Sequence, residues 1–288
     1  MGLSSLQLDA FFAAARALNF SAAAKELHIT QSALSQRIKS LEEDLELTVF
    51  VRRPRGVQLT ESGERLLRYC QARFSMELEL VEQFRSKTQQ GFGGVLRIAG
   101  YSSIVRSILI PALGPLLRDN PNVQAHIQNA EIRELPELLF TGNVDFIVTD
   151  APIHRTDLET VELGHEEYMM CEGAKFPSSG DRYLDHDPSD TTTNRFLASQ
   201  SKAVPNYRRA FMDEIYAVID CVANGLGKAV VSRHLVVGDP RIRVLRRFRS
   251  MSVPVLLHYQ KQPYYTALQR ATISALVERC PRLLGERS

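Results

Sequence analysis

The stretch FSAAAKELHITQSALSQRIKSLEEDLELTVFVRRPRGVQLTESG, residues 20–63, decides how this chain is read. It holds a short alanine-rich segment, a break, a longer amphipathic segment with a polar front, and an arginine-rich hairpin. Upstream, Leu8, Phe11, Phe12, Ala15 and Leu18 recur at helical spacing and predict a first helix that Asn19 ends. Ser21 is placed to cap a short helix from Ala22 to Leu27, because its hydroxyl can accept an orphan backbone N–H. Small Ala23 and Ala24, with Leu27, face the core and let another helix approach. After a turn at His28, Ile29 and Thr30, the residues Leu34, Ile38, Leu41 and Leu45 fall at helical spacing and bury one face of a third helix. Two helices across a tight turn, followed by a basic hairpin, describe a winged helix-turn-helix, a fold that enters a DNA major groove with one helix and grips the backbone beside it.

The open face of the third helix begins with Gln31, Ser32, Ser35 and Gln36, short amides and hydroxyls suited to base edges. Arg37 and Lys39 follow and would reach phosphates, which position without specifying. Glu42, Glu43, Asp44 and Glu46 lie at the far end, where they must face away from DNA. The hairpin carries Arg52, Arg53 and Arg55, closes at Gly56 and returns through Val57 and Leu59.

In Phe20-Ser21, Ala23-Ala24, Leu27, Gln31-Ser32-Ala33, Ser35, Ile38, Leu41-Glu42, Phe50, Arg52, Leu59-Thr60 and Gly63 the chain resembles the DNA-binding domain of LysR-type transcriptional regulators. Ala22 stands where Thr is common, removing a phosphate contact. Glu46 replaces the usual helix-ending Gly, so the turn into the wing is expected to be built differently. The resemblance implies double-stranded DNA, a small-molecule effector and RNA polymerase as partners, in a homodimer or homotetramer.

Thr60 can cap a long helix from about Glu61 to Lys87, in which Leu67, Cys70, Phe74, Leu78, Val81 and Phe84 follow a three-four repeat. Leu67, Phe74, Leu78 and Val81 are therefore expected to pair two copies of the chain. Residues 89–94 (QQGFGG) form a joint. The expected organisation is a DNA-binding domain over residues 1–60, a linker over 61–90 and an effector domain over 91–288.

From Val95 strands and helices alternate, which predicts a mostly parallel sheet covered on both faces. Ligands of such sheets bind beyond strand C-termini. This points to Ser102 and Ser103 after VLRIAGY, Thr149 and Asp150 after VDFIV, and Ser199 and Gln200 after RFLA, read as a further strand. Gly225 and Gly227 are read as a helix stop and tight turn. The family resemblance extends through VIDCVANGLGKAVVS, with Ser232 where many relatives have Pro. It implies an α/β effector domain of two subdomains like a periplasmic binding protein, residues 95–163 with 262–288 and residues 164–261, with crossovers near Gly164 and Lys261. ITQSALSQRI and LIPALGPLL are similar to the arginine- and lysine-responsive regulators. Loop residues that would bind an amino acid are not recognisably retained, so the effector stays open.

The remaining sequence narrows the classes. The formal charge of +2 over 288 residues leaves any DNA footprint local. Cys70, Cys171, Cys221 and Cys280 are scattered, without metal or disulfide spacing. There is no Gly-Xaa-Ser-Xaa-Gly elbow, metal-spaced His pair or phosphate loop, so neither catalysis nor a cofactor is expected. The N-terminus does not look like a signal peptide and no apolar run suits a bilayer, so a soluble cytoplasmic protein is expected. The alternative function is an architectural DNA binder whose C-terminal domain only oligomerises.

Overall fold

The computed structural model describes residues 3–53, 56–85, 93–178, 180–200 and 207–285. Its N-terminal unit comprises α1 (Ser5–Ala17), α2 (Phe20–Glu26), α3 (Gln31–Leu45), the hairpin β1 (Phe50–Arg53) and β2 (Gly56–Leu59), and the first half of α4 (Glu61–Arg85). Leu8, Phe11, Leu34, Ile38, Leu41, Val49 and Leu67 form its core. Phe50 joins it, with Phe11 and Phe20 at ring-centroid distances of 5.3 and 5.4 Å. Stacked in this way, the aromatic rings fix the hairpin against α1 and α2.

The turns differ from the sequence expectation in detail. Leu18 takes the left-handed conformation at the end of α1 (φ 45°), and Asn19 starts α2 instead of ending α1. The Asn19 side chain accepts from Ala22 N at 3.1 Å, so the cap is Asn19 and Ser21 lies in the first turn. Thr30 is likewise an N-cap, accepting from Ala33 N at 3.1 Å. Glu46 adopts φ 53°, so the turn after α3 keeps the left-handed form that Gly usually supplies and bears a backbone cost for it. Glu42 does not face solvent: its carboxylate accepts from Val49 N at 2.7 Å and Phe50 N at 3.3 Å, tying α3 to the wing. Thr60 caps α4 as expected, accepting from Gly63 N at 3.0 Å. A Cβ on Gly63 would sit 2.2 Å from the Val49 carbonyl oxygen, so only Gly allows α4 this close to the wing.

The C-terminal unit runs β3 (Gly94–Gly100), α5 (Ser102–Ile104), a π-helical turn (Val105–Leu109), α6 (Ile110–Asp119), β4 (Val123–Asn129), α7 (Leu135–Phe140) and β5 (Phe146–Thr149). It continues through β6 (Leu158–Gly173), β7 (Arg182–Asp185), α8 (Thr192–Ala198), β8 (Arg208–Phe211), α9 (Ile215–Ala223), β9 (Ala229–Ser232) and α10 (Arg233–Val236). It closes with β10 (Ile242–Val244), β11 (Met251–Gln260) and α11 (Ala267–Leu284). One sheet, ordered β10-β6-β11-β5-β3-β4 with β9 also on β6, spans two lobes.

The sheet is mixed and not mostly parallel. Strands β4, β3 and β5 are parallel, but β11 is antiparallel to both β5 and β6, and β9 and β10 are antiparallel to β6. The reason is topological: β6 carries the chain into the second lobe and β11 brings it back, and the two pair along their length. Gly164 (φ 127°) marks the outward crossing, facing Val255. The register of the β6–β11 pair shifts between Val255 and Leu256. RFLA is helical, in α8, where Thr193, Phe196 and Leu197 turn inward. An apolar run this short does not separate strand from buried helix.

Cys70, Cys171 and Cys280 are buried and unpaired, and burial pushes each thiol up to about 12, so they behave as small apolar side chains. No helix among the described residues is long and apolar enough to cross a membrane.

His258 is fully buried between lobe-one strands, with Nε2 2.9 Å from Thr149 Oγ1 and Nδ1 2.9 Å from Thr160 Oγ1. Burial depresses its pKa below 6.5, with the Ala151 carbonyl partly opposing. A depressed histidine resists a proton that the unfolded chain accepts, so it contributes to stability above pH 6.5 and that contribution is lost as pH falls through this value. Denaturant unfolding between pH 7.5 and 5 should show a downward slope that includes up to about 1.4 kcal/mol per pH unit from this group. The substitution His258→Gln should remove that share.

Candidate functional site

Burial of Leu34, Ile38 and Leu41 fixes which face of α3 is open. Gln31, Ser32, Gln36 and Lys39 are exposed on it, and Ser35 and Arg37 are half-buried. The readers are braced: Ser21 Oγ donates to Gln31 Oε1 at 3.1 Å, and the Ser32 and Thr30 hydroxyls lie 3.0 Å apart. Helix α2 therefore orients the Gln31 amide, whose NH2 group remains to donate. Lys39 makes an i,i+4 pair with Glu43 at 3.5 Å, both well exposed, a contact worth little and easily exchanged for phosphate. The wing places the backbones of Arg52 and Arg53 opposite Val57 and Gly56, respectively. Val57 N donates to the Leu18 carbonyl at 3.2 Å, anchoring the wing to the end of α1. The side chains of Arg52 and Arg53, and all of Arg55, lie outside the described residues.

Helix α4 carries three stripes. The first enters the N-terminal core: Leu67 is 1% exposed, Cys70 is buried, and Phe74 lies 5.9 Å from the Phe12 ring. The second docks on lobe one. Arg68 contacts Asp157 at 2.9 Å and Glu64 contacts Arg155 at 2.6 Å. Glu79 caps α11, accepting from Ala267 N at 2.8 Å, and accepts from the Tyr264 hydroxyl at 3.1 Å. Arg97 sits 5.7 Å over the Phe74 ring, and Leu78 faces Leu96, Phe146 and Leu268. The third stripe, Tyr69, Met76, Leu80, Val81 and Phe84, is exposed, Phe84 at 82%. Of the residues expected to pair two copies, Leu67 is buried and Leu78 faces lobe one, whereas Phe74 (36%) and Val81 (41%) are exposed, Phe74 while also touching Phe12 and Arg97.

Between the lobes, five side-chain contacts among the described residues cross the cleft line. Tyr101 donates to Glu166 Oε2 at 2.7 Å, Asp150 pairs with Arg195 at 3.6 Å, and Glu131 pairs with His186 at 3.3 Å. Ser107 lies 3.5 Å from the Tyr216 hydroxyl, and Arg106 stacks 3.9 Å from the centre of that ring. Ser107 and Arg106 come from the π-helical turn, where Ile110 N reaches back to Val105 and Pro111 has no N–H to continue the regular ladder. Behind the contacts, Glu166 is completely buried, accepting also from Tyr168 at 3.2 Å and facing His234 Nε2 at 2.6 Å. Burial first, and Glu166 second, push the Tyr101 and Tyr168 hydroxyls well above the ordinary tyrosine range, so both stay protonated donors. Two buried polar atoms beside this cluster, Ser232 Oγ and His234 Nδ1, have no partner among the described residues.

Of the expected effector contacts, Asp150 reaches across the cleft and Ser102 lies half-buried at the start of α5. The others are buried or make local contacts. Ser103 is buried with its carbonyl accepting from Ser107 Oγ, and Thr149 donates to the Ala151 carbonyl beside His258. Ser199 and Gln200 follow a helix and not a strand, and there they cap α8 and hold Arg249. Sequence reasoning missed Tyr101, Glu166, Tyr168, Arg195, Tyr216 and His234. The alternation of Glu166 and Tyr168 along β6 was available as a sign of one shared sheet face, whereas Arg195 and His234 carry no local signal. Glu131, His186 and Asp187 bring possible ligand atoms within 4.8 Å of one another. The Glu131–His186 pair accounts for that proximity, and Asp187 already accepts from Ser189.

Residues 6–64 match the bacterial regulatory helix-turn-helix protein of the lysR family, and residues 89–281 match the LysR substrate binding domain. An HTH-type transcriptional regulator of Sinorhizobium fredii, y4mQ, is 29% identical over 96% of this chain and 95% of its own. The transcriptional activator AmpR of Citrobacter freundii is 38% identical over 45% of this chain and 43% of its own. Full-length LysG of Corynebacterium glutamicum with bound effector Arg superposes at a TM-score of 0.72 with 18% identity, covering 96% of this chain and 97% of that one. ArgP of Mycobacterium tuberculosis gives 0.75 with 19% identity, over 99% and 98%. Both modules of the chain are matched, the helix-turn-helix with its wing and the two-lobed α/β domain behind it, and the chain belongs to the LysR family of DNA-binding, effector-modulated transcriptional regulators.

Proposed function

We propose that Gln31, Ser32, Ser35 and Gln36 read base edges in the major groove, and that Arg37, Lys39, Arg52 and Arg53 hold the sugar-phosphate backbone. The exposure and bracing of the α3 front support this division. The small-molecule effector binds between the lobes, against Tyr101, Ser102, Asp150, Arg195 and the Glu166 cluster. The observation that carries this assignment is the pair of orphaned buried atoms, Ser232 Oγ and His234 Nδ1, beside the cleft. A buried polar group without a partner costs about 1–3 kcal/mol, and a bound ligand or water supplies the missing bond. LysG carries its arginine effector on the same fold. Occupancy shifts transcription only by favouring one arrangement of the protein over another. A cytoplasmic location and contact with RNA polymerase follow from acting on promoters.

We propose further that a second copy covers the open stripe of α4. An exposed apolar row at near-heptad spacing suits a paired helix. Two modules then face two half-sites.

Binding to the DNA flanking the gene for this chain tests the division of labour. Arg52→Ala with Arg53→Ala should weaken binding to every sequence and lower the salt dependence by about 2 in log–log slope. Gln31→Ala should instead reduce preference for that DNA over random DNA by about 1–3 kcal/mol. Equal behaviour of the two variants would contradict the assignment. For assembly, sedimentation of a Leu80→Asp, Phe84→Asp chain should show monomers with intact N-terminal domains. Leu67→Ala should lower stability by about 2–5 kcal/mol without dissociating the protein; the reverse pattern sinks the open-stripe reading.

A further inference from the structure

A short loop runs from the cleft to the helix that carries the DNA-binding module. Strand β5 ends at Thr149, and β6 begins at Leu158. At the front of the intervening segment Asp150 pairs with Arg195 of the opposite lobe at 3.6 Å. At its end Arg155 and Asp157 form a closed ion network with α4. Arg155 donates from Nε to Asp157 Oδ1 at 2.9 Å and from Nη2 to Glu64 Oε2 at 2.6 Å, while Arg68 reaches Asp157 Oδ2 at 2.9 Å. The Arg155 guanidinium also stacks 4.4 Å from the centre of the Phe140 ring, and Ile153 packs on the small core around Leu135 and Leu139. The loop is therefore braced at both ends and in the middle, so a displacement at Asp150 is carried to Arg155 instead of being absorbed. Glu64 and Arg68 flank Leu67, the residue that fixes α4 in the core of the N-terminal domain.

We propose that residues 150–157 are a lever that reports the state of the cleft to the DNA-binding module. Asp150 senses the second lobe through Arg195, and Arg155 with Asp157 sets how firmly α4 is held on lobe one. This rests on the reading of the cleft as the effector site, since an effector acts on the lever by making or breaking the Asp150–Arg195 contact. The network joins two acids and two arginines in alternation, each 22–33% exposed, so it is strong enough to hold and solvated enough to exchange. Coupling between distant sites requires an element that both sites can bias, and this loop has a contact with each.

Hydrogen exchange on the full-length protein tests this without any ligand. Arg195 is half exposed, so Arg195→Gln cuts the cross-cleft contact with little threat to folding. The expected result is several-fold faster exchange over residues 61–70, and no such increase when the same substitution is made on an Arg155→Gln background. Unchanged exchange in α4 after Arg195→Gln overturns the proposal, as does an equal increase in both backgrounds, which would mean that the signal does not pass through Arg155. A thermal-shift screen of metabolites without a hit would count against the effector reading and leave this result standing, so the two failures are distinguishable.

Discussion

The structure depends on how one helix divides its surface. Helix α4 cannot bury all its apolar residues in one place, because they fall on more than one face. Leu67 and Cys70 enter the N-terminal core, while Glu64, Arg68, Leu78 and Glu79 engage lobe one. Burying Leu67 fixes the rotation of the helix about its axis, and that rotation determines which residues meet lobe one and which remain outside. The apolar row through Tyr69, Met76, Leu80 and Phe84 is left over by the same constraint. Gly63 makes the arrangement possible, since any larger residue there would drive α4 off the wing.

The cleft follows a different logic, electrostatic where the helix is steric. A carboxylate as buried as Glu166 is costly unless hydrogen-bonded, and Tyr101, Tyr168 and His234 share that task from two lobes. Because Tyr101 belongs to one lobe and Glu166 lies just past the crossing at Gly164, satisfying the charge also closes the lobes. The contacts farther out, Asp150 with Arg195 and Glu131 with His186, are more exposed and weaker, and are the ones a ligand can replace at little cost.

The N-terminal module was legible because its signals are local. Periodicity at Leu34, Ile38 and Leu41 and the arginines of the hairpin need no long-range information. Even there, a cap one residue pair earlier, at Asn19, was indistinguishable from Ser21 by residue type, since both side chains can accept a backbone N–H. A three-four repeat says which residues want burial and not what buries them, so Leu67 packs within the chain while Phe74 and Val81 stay exposed. Ser103, Thr149, Ser199 and Gln200 carry a weak signal for a related reason: polar residues after an element satisfy nearby backbone as readily as they meet ligands. The cleft residues that matter most are brought together by β6 and β11 from distant parts of the chain, and the antiparallel crossing that does so leaves no mark in hydrophobic pattern.

If α4 fixes each reading module to its own effector domain while pairing two chains, as proposed, the modules address DNA at a set separation. Footprinting the full-length protein on the DNA flanking its gene measures this directly. The account predicts two protected half-sites on one face of the duplex, separated by whole turns of about 10.5 base pairs. A single short protected segment, or equal protection of random DNA at physiological salt, would contradict it.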